Sequence, residues 1–310
     1  MPFGIGAAGI VGVAFETTAG TYVAPAKFMP LVSESLEFNQ EVTKRRVIRG
    51  TPDPIGSVKG NGVVGGDISV EVLPDVLPWF LYASRCTVVK TGSGPYTYVA
   101  TGNSSGSPTS GRTLSITIVR NGVVFGYTGC IVASSDYSVK DGVLQASHKI
   151  VGMDEATQSS PTPTWPTSVP FGMGTYTLKF DTVTDATVSD MTISIDDNGQ
   201  AEFRLAGTTG ADVVRFGERT TKISVTRDFI DRTEYNKYRA LTAENFDLTV
   251  LNGTESVRYQ IPVAVMDSYE IGMSNPGDMI RAKIDFMGDY DATTTASWKI
   301  TVVANTENIT

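Results

Sequence analysis

Apolar and polar residues alternate along many short stretches of this chain, and helical periodicity is nearly absent. Asp67–Leu73 sets Ile68, Val70 and Val72 against Asp67, Ser69 and Glu71, a period of two that predicts a half-buried strand. Leu31–Asn39 and Ser297–Ala304 read the same way. Thr113–Val119 and Val123–Phe125 flank Arg120-Asn121-Gly122, a hairpin signal, and Leu251-Asn252-Gly253-Thr254 gives the signal again. Two stretches depart from this pattern. Pro74–Ser84 predicts a short helix with prolines near its start. Asp231–Ala240 predicts another, with Asp231 and Glu234 at the spacing of a capping box. The fold class expected is all-β with short flanking helices. Between Leu31–Asn39 and Asp67–Leu73 lies Gln40–Gly66, rich in glycine and carrying Lys44, Arg45, Arg46, Arg49 and Lys59. It reads as a long loop, and loops of that length are usually functional or flexible.

The pattern of the first half returns in the second. Leu114–Ile118 aligns with Phe246–Val250, and Tyr127–Tyr137 with Tyr259–Tyr269, both at an offset of 132. An insertion near 273–276 then moves the offset to 136, which lays Val143–Gly152 on Met279–Gly288. Upstream, Leu36-Glu37-Phe38 and Gly50-Thr51 match Ile193-Ser194-Ile195 and Gly207-Thr208 at an offset of 157, and Ile68-Ser69-Val70 returns as Ile223-Ser224-Val225. Duplication of one module explains this order of strands, turns and tyrosines. Two copies in one chain can occupy two equivalent places in a ring, so a trimer can imitate six-fold symmetry. The expected organisation is an apolar N-terminal arm over 1–30, packed on a neighbour or on the core; a first domain over 31–157; a Pro/Ser/Thr-rich linker over 158–175; and a second domain over 176–310.

Composition narrows the function by exclusion. The net charge is −8 and the pI near 4.8, which disfavours attraction to nucleic acid. Two cysteines, Cys86 and Cys130, make no disulfide framework, and buried free thiols are expected. The apolar start has no basic flank and is too short for a membrane span, so a soluble, intracellular chain is expected. His148 is the single histidine, and its repeat partner at the offset of 136 is Ile284, so no triad or histidine metal site is available. Asp196-Asp197-Asn198-Gly199 and Asp289-Tyr290-Asp291 lack the ligand spacing of an EF-hand and read as turns. No catalytic residue, cofactor or metal is expected. The basic cluster reads as a solvated loop or a contact to an acidic neighbour.

Gly12–Pro25 leading into Phe28–Leu36, the strand–helix runs Gly66–Ala83 and Arg219–Ala240, and Gly277–Phe286 together resemble the major tail, or tail tube, proteins of long-tailed bacteriophages. The resemblance covers nearly the whole chain. It implies duplicated β-sandwich or barrel domains whose sheets join neighbours into a ring. It also implies trimeric, pseudo-hexameric rings stacked into a helical tube in the virion tail, the chain being made in the host cytoplasm. The implied partners are other copies of the chain, a tape measure protein inside the tube, tip and terminator proteins at its ends, and double-stranded DNA passing through without specific binding; no membrane is implied. Lys44, Arg45, Arg46, Arg49 and Lys59 become candidates for contact with the next ring, with Asp196–Gly217 a briefer second loop of the same kind. An acidic inner wall would repel phosphates; alternation does not say which strand face lines it. The other class considered is a tandem carbohydrate-binding or adhesin-like module using Trp79, Trp165 and Trp298.

Overall fold

A computed structural model of the chain describes residues 9–102, 112–172, 175–205, 210–273, 277–307 and 309. The first eight residues of the apolar start, the Gly207-Thr208 match and most of the 273–276 insertion lie outside them. The first half carries β1 (Ile10–Phe15), β2 (Lys27–Met29), β3 (Leu31–Glu34), β4 (Glu37–Lys44), β5 (Ser57–Glu71), α1 (Leu77–Tyr82), β6 (Cys86–Thr91), β7 (Tyr96–Gly102), β8 (Leu114–Arg120), β9 (Val123–Lys140), β10 (Val143–Gly152) and β11 (Asp154–Thr157). The second carries β12 (Tyr176–Phe180), β13 (Val183–Thr184), β14 (Val188–Asp196), β15 (Gln200–Glu202), β16 (Val213–Arg215), β17 (Thr220–Asp228), α2 (Thr233–Ala240), β18 (Ala243–Asn252), β19 (Glu255–Gly272), β20 (Arg281–Gly288) and β21 (Lys299–Ala304). The all-β fold with short helices is as expected.

Two long strands organise the molecule. The first part of β9 pairs with β8 and β11, and the rest with β10 and β14. In the same way β19 pairs first with β18 and β21, then with β20. Each long strand therefore passes from one layer of a sandwich into the other. The hairpin turns are as expected, with Asn121 at φ 51° and Gly122 at φ 78° in the mirror-image geometry that fits strand twist.

Pairings recur in order between the halves: β5–β10–β9–β8–β1 in the first, β17–β20–β19–β18–β12 in the second. Their registers correct the alignment. Ala146 lies opposite Tyr137 and Val70, and Ile284 lies opposite Tyr269 and Val225, so Ala146 corresponds to Ile284 at an offset of 138. His148 thus corresponds to Phe286, not Ile284. Likewise Glu34 faces Ile68 as Ile193 faces Ile223, so Ile193 corresponds to Glu34 rather than Leu36. Both errors are two residues, the one slip that keeps every side chain on its own face and so is invisible to an alternation pattern.

The described part of the N-terminal segment takes the core of the two placements expected for it. β1 lies between β2 and β8 with Val11 and Val13 buried. The buried Glu16 carboxylate anchors the chain as it leaves β1, accepting hydrogen bonds from the Gly20 and Gly129 amides and the Thr113 and Ser115 hydroxyls, each at 2.8 Å. The helices are shorter than expected. In α1, Leu77 to Leu81 are all buried, whereas α2 buries none of its residues. Asp231 does accept from the Thr233 amide, but Glu234 does not close a capping box; it turns to Arg227 and Lys237. The linker runs without strand or helix through Pro170 and is tied down at its end, where Phe171 is buried and its carbonyl accepts from the Leu144 amide.

Candidate assembly interfaces

Strands from both halves form one continuous layer. Its order is β3 and β4, then β5, β10, β9, β14, β17, β20 and the second part of β19. The halves meet at β9 and β14, where Tyr137 faces Ile193. They meet again in the other layer, where β7 pairs with β21, and the hydrophobic core runs unbroken through both. The Tyr137 and Tyr259 rings, one from each half, pack 4.9 Å apart between the layers.

The two faces of this sheet differ completely. One is dry: the rung Val70, Ala146, Tyr137, Ile193, Ile223 and Phe286 is buried throughout. The other is polar. One of its rungs reads Gln145, Ser138, Thr192, Ser224, Asp285 and Ser268, the next Ser69, Ser147, Asp136, Ser194 and Lys222. Small hydroxyl side chains dominate, with carboxylates and lysines between them, and Lys222 pairs with Asp285 at 3.3 Å. The face is hollowed over Ser33, Ser69, Asp136, Lys140 and Thr192, enclosing about 450 Å³.

The segment expected to be a loop is instead a hairpin. β4 and β5 stay paired from Glu37–Gly65 out to Lys44–Ser57, and the Ile55 amide then donates to the Arg45 carbonyl. Glycine in β5 hid the strand: a Cβ at Gly62 would lie 2.2 Å from the Phe38 ring, which crosses the glycine instead of an alternating apolar partner. Shared rungs with β10 end at Val64, so the hairpin runs on for about 25 Å at ~3.3 Å per residue. Lys44, Arg45, Arg46, Arg49 and Lys59 all lie on this projection and are exposed, and among the described residues none enters an ion pair. The structure brings these five together and adds what charge counting overlooked: Val42, Val47 and Val58 are exposed beside them, and Ile48 fully so.

Asp196–Gly217 is anchored at both ends. Asp197 is 2% exposed; its backbone amide donates to the Ala133 carbonyl, and its carboxylate accepts from Arg219 Nε at 2.5 Å and the Arg85 amide at 3.2 Å. Arg85 Nη1 reaches the Gly217 carbonyl, and Arg219 lies over the Trp298 ring. Burial pushes the Asp197 carboxyl up, against the opposing pull of Arg219 and Arg85. The described ends of the second loop clamp the halves together, while between them β15 pairs with β16 and Leu205 beyond β15 is fully exposed.

The remaining candidates behave as packing or turns. Asp196 and Asp291 accept backbone amides two or three residues on, and no group of acidic, cysteine or histidine side chains among the described residues is placed to hold a metal. Cys86 and Cys130 are free and buried. Trp79 and Trp298 are buried, which removes two of the three residues of a sugar platform. Among the described residues no helix is long and apolar enough to cross a membrane. His148 is fully buried, stacked on Phe80 at 4.0 Å, with Ser135 Oγ 2.8 Å from Nδ1. Burial pushes its pKa down to about 3, below an unfolded value of ~6.5, so the unfolded chain gains a proton first as pH falls. That stability is present above about pH 6.5 and drains at up to ~1.4 kcal/mol per pH unit below it. His148→Phe, which installs the residue of the corresponding position, should flatten urea-derived stability between pH 6 and 4 by about that slope relative to wild type; parallel curves would refute it.

A family model described as phage tail tube protein matches residues 6–288. The chain belongs to that family, which makes it a structural component of the virion tail. No curated protein matches the chain.

Proposed function

We propose that the chain is a duplicated tube module that closes as a trimeric, pseudo-hexameric ring, and that the rings stack into a hollow tube conducting the phage genome. It acts without catalysis or cofactor. The observation that carries this reading is the joint between β9 and β14: the chain already joins two like halves edge to edge, and the same sheet ends in two further edges, at β3 and β19, that are open among the described residues. Exposed edges invite pairing, and a closed ring removes them. Three copies of an eight-strand layer give twenty-four strands. At ~4.8 Å between strands the cylinder is at least ~37 Å across at its backbone, and wider once the strands tilt, so a duplex fits inside.

The polar face lines the bore in this reading and the dry face points outward into the sandwich. A wall of short hydroxyls with scattered charge offers DNA neither a basic track nor an apolar one. Tape measure, tip and terminator proteins are the partners inside and at the ends, as for a virion tail assembled in the host cytoplasm. The basic hairpin, one per chain, reaches the adjacent ring.

Negative-stain microscopy of the purified chain or of virions is expected to show stacked rings; monodisperse single chains under all assembly conditions would sink the reading. For the bore, Asp67→Lys with Asp136→Lys puts two cations on the polar face at exposed positions. Genome release from such virions should slow several-fold at low salt and recover as salt screens the wall. Unaltered ejection kinetics in virions shown to carry the substitutions would remove the lining role.

A further inference from the structure

We infer that the open edge of β19 pairs with the open edge of β3 on a second copy of this chain, in the register that β14 and β9 adopt within one copy. This rests on the ring reading and adds the residues that meet. Inside the chain Thr192 faces Ser138, Ile193 faces Tyr137 and Ser194 faces Asp136. Replacing each residue by its structural counterpart (Glu34 for Ile193, Tyr269 for Tyr137) sets Ser33 opposite Glu270, Glu34 opposite Tyr269 and Ser35 opposite Ser268. Faces agree at every pair: Ser33 shares the polar face with Ser69, Glu270 shares it with Lys283, and Tyr269 lies on the dry face beside Ile284. Any one-residue slip would set dry-face Tyr269 opposite polar-face Ser33 or Ser35 and so mismatch the two faces.

Apolar surfaces flanking the two edges support a second copy as the occupant. Beyond the pairing, β19 carries Ile271 at 46% exposure and is followed by Met273 at 82%, with Met279 at 66% ahead of β20. On the other edge, along β3, a groove of about 780 Å³ is lined by Met29, Leu31, Val32 and Trp165 among others. The antiparallel register carries Met273 past Leu31 and over that groove. Large exposed apolar side chains clustered at an open edge mark an interface rather than a free surface. Glu34 brings no bare charge into the joint, because Arg120 Nε already donates to its Oε1 at 2.8 Å.

The joint between copies is simpler than the internal one. Between α2 and β18 the chain has only Leu241 and Thr242, where the first half inserts β6 and β7, so the additional ladder of β7 with β21 has no counterpart. Copies therefore separate more readily than the halves do.

Cysteine pairing tests the register. Chains carrying Ser35→Cys and chains carrying Ser268→Cys are mixed, assembled and oxidised; Cys86 and Cys130 are buried and do not compete. A covalent dimer is expected in the mixture and in neither chain alone, and a chain bearing both cysteines should give covalent products ending at three copies. Ser35→Cys with Glu270→Cys, a diagonal pair roughly 7–8 Å apart, should yield at least about tenfold less. Asp136→Cys with Ser194→Cys serves as the internal reference. Tubes that cross-link at another register, or not at all, overturn this inference and leave the ring standing; a wild-type chain that never forms rings overturns both. If the cysteines block assembly, hydrogen exchange on wild-type tubes decides: the amides of Glu34 and Tyr269 must gain protection on assembly, whereas the Ser35 amide already donates to the Asp67 carbonyl within the chain, and unchanged exchange at Glu34 and Tyr269 refutes the pairing.

Discussion

Joining Arg45 to Ile55 through a two-residue Asn-Gly turn, in place of residues 46–54, should abolish tubes while leaving the fold and its melting temperature unchanged. The site suits the substitution because Arg45 and Ile55 are already bonded across the hairpin, and a mirror-image turn of two residues closes such a pair without splaying the strands. Stability should hold because residues 46–54 are all exposed and contribute nothing to the core. Assembly should fail because the tip removes both parts of the arm, the cations Arg46 and Arg49 and the exposed Val47 and Ile48. Burying one such apolar side chain contributes about 1.5–3 kcal/mol, and each ring would present three arms, so the loss per ring-on-ring contact reaches several orders of magnitude in association. Arg45→Glu with Arg46→Glu and Arg49→Glu separates the two parts: it should weaken stacking at low salt and matter less at high salt. Sedimentation and negative stain of the shortened chain, beside its thermal melt, provide the check. Tubes of normal length would show that the arm contacts nothing needed for stacking.

Sequence alone carried the strands far and the joints hardly at all. Alternation located β8, β21 and the inner end of β5 within a few residues, and the Asn-Gly pairs fixed two hairpins, because both signals are local. The outer half of the β4–β5 hairpin was missed for an equally local reason: Gly60, Gly62, Gly65 and Gly66 interrupt the apolar period, and Phe38 supplies from across the ladder the packing that β5 lacks. Repeat registers were off by two because side chains alternate with a period of two, and only cross-strand partners resolve that ambiguity. The five basic residues were found as charge on a long loop, with the next ring as a candidate contact, but not as part of a paired hairpin, and Ile48 beside them carried no signal beyond being apolar. Glu16, in one of the stretches that carry the family resemblance, reads as one more acidic residue until four donors converge on it. Asp197 was read as turn chemistry together with Asp196. Asp196 is that, whereas its neighbour points inward to two arginines more than a hundred and about twenty positions away, respectively, a contact that no spacing rule reveals.

Asp197→Ala is the substitution expected to cost most in stability, about 3–5 kcal/mol, because it leaves Arg219 buried without its carboxylate and the Arg85 amide without an acceptor. The ion pair itself is not the source of that figure. Burial raises the Asp197 carboxyl above the ordinary aspartate value, which means that the folded site holds the ionised group less well than water does. The cost comes from removing one partner and stranding the other. Asp197→Asn keeps one of the two acceptors but sets its NH2 against the other donor, Arg219 or the Arg85 amide, and should cost somewhat less than Asp197→Ala. A raised carboxylate also binds its proton more tightly in the folded chain, so its contribution is present below the unfolded value and lost as pH rises through the folded one, opposite in sense to His148. Asp197→Asn should therefore remove a decline in stability with rising pH that begins near the ordinary aspartate range. By thermal melting Asp197→Ala is expected to fall on the order of ten degrees, at ~2–4 °C per kcal/mol for large domains. It should do so in a single transition, since the ladders of β9 with β14 and β7 with β21 still bind the halves. A melt within a degree or two of wild type would show that water replaces the carboxylate and that the clamp is not buried in solution.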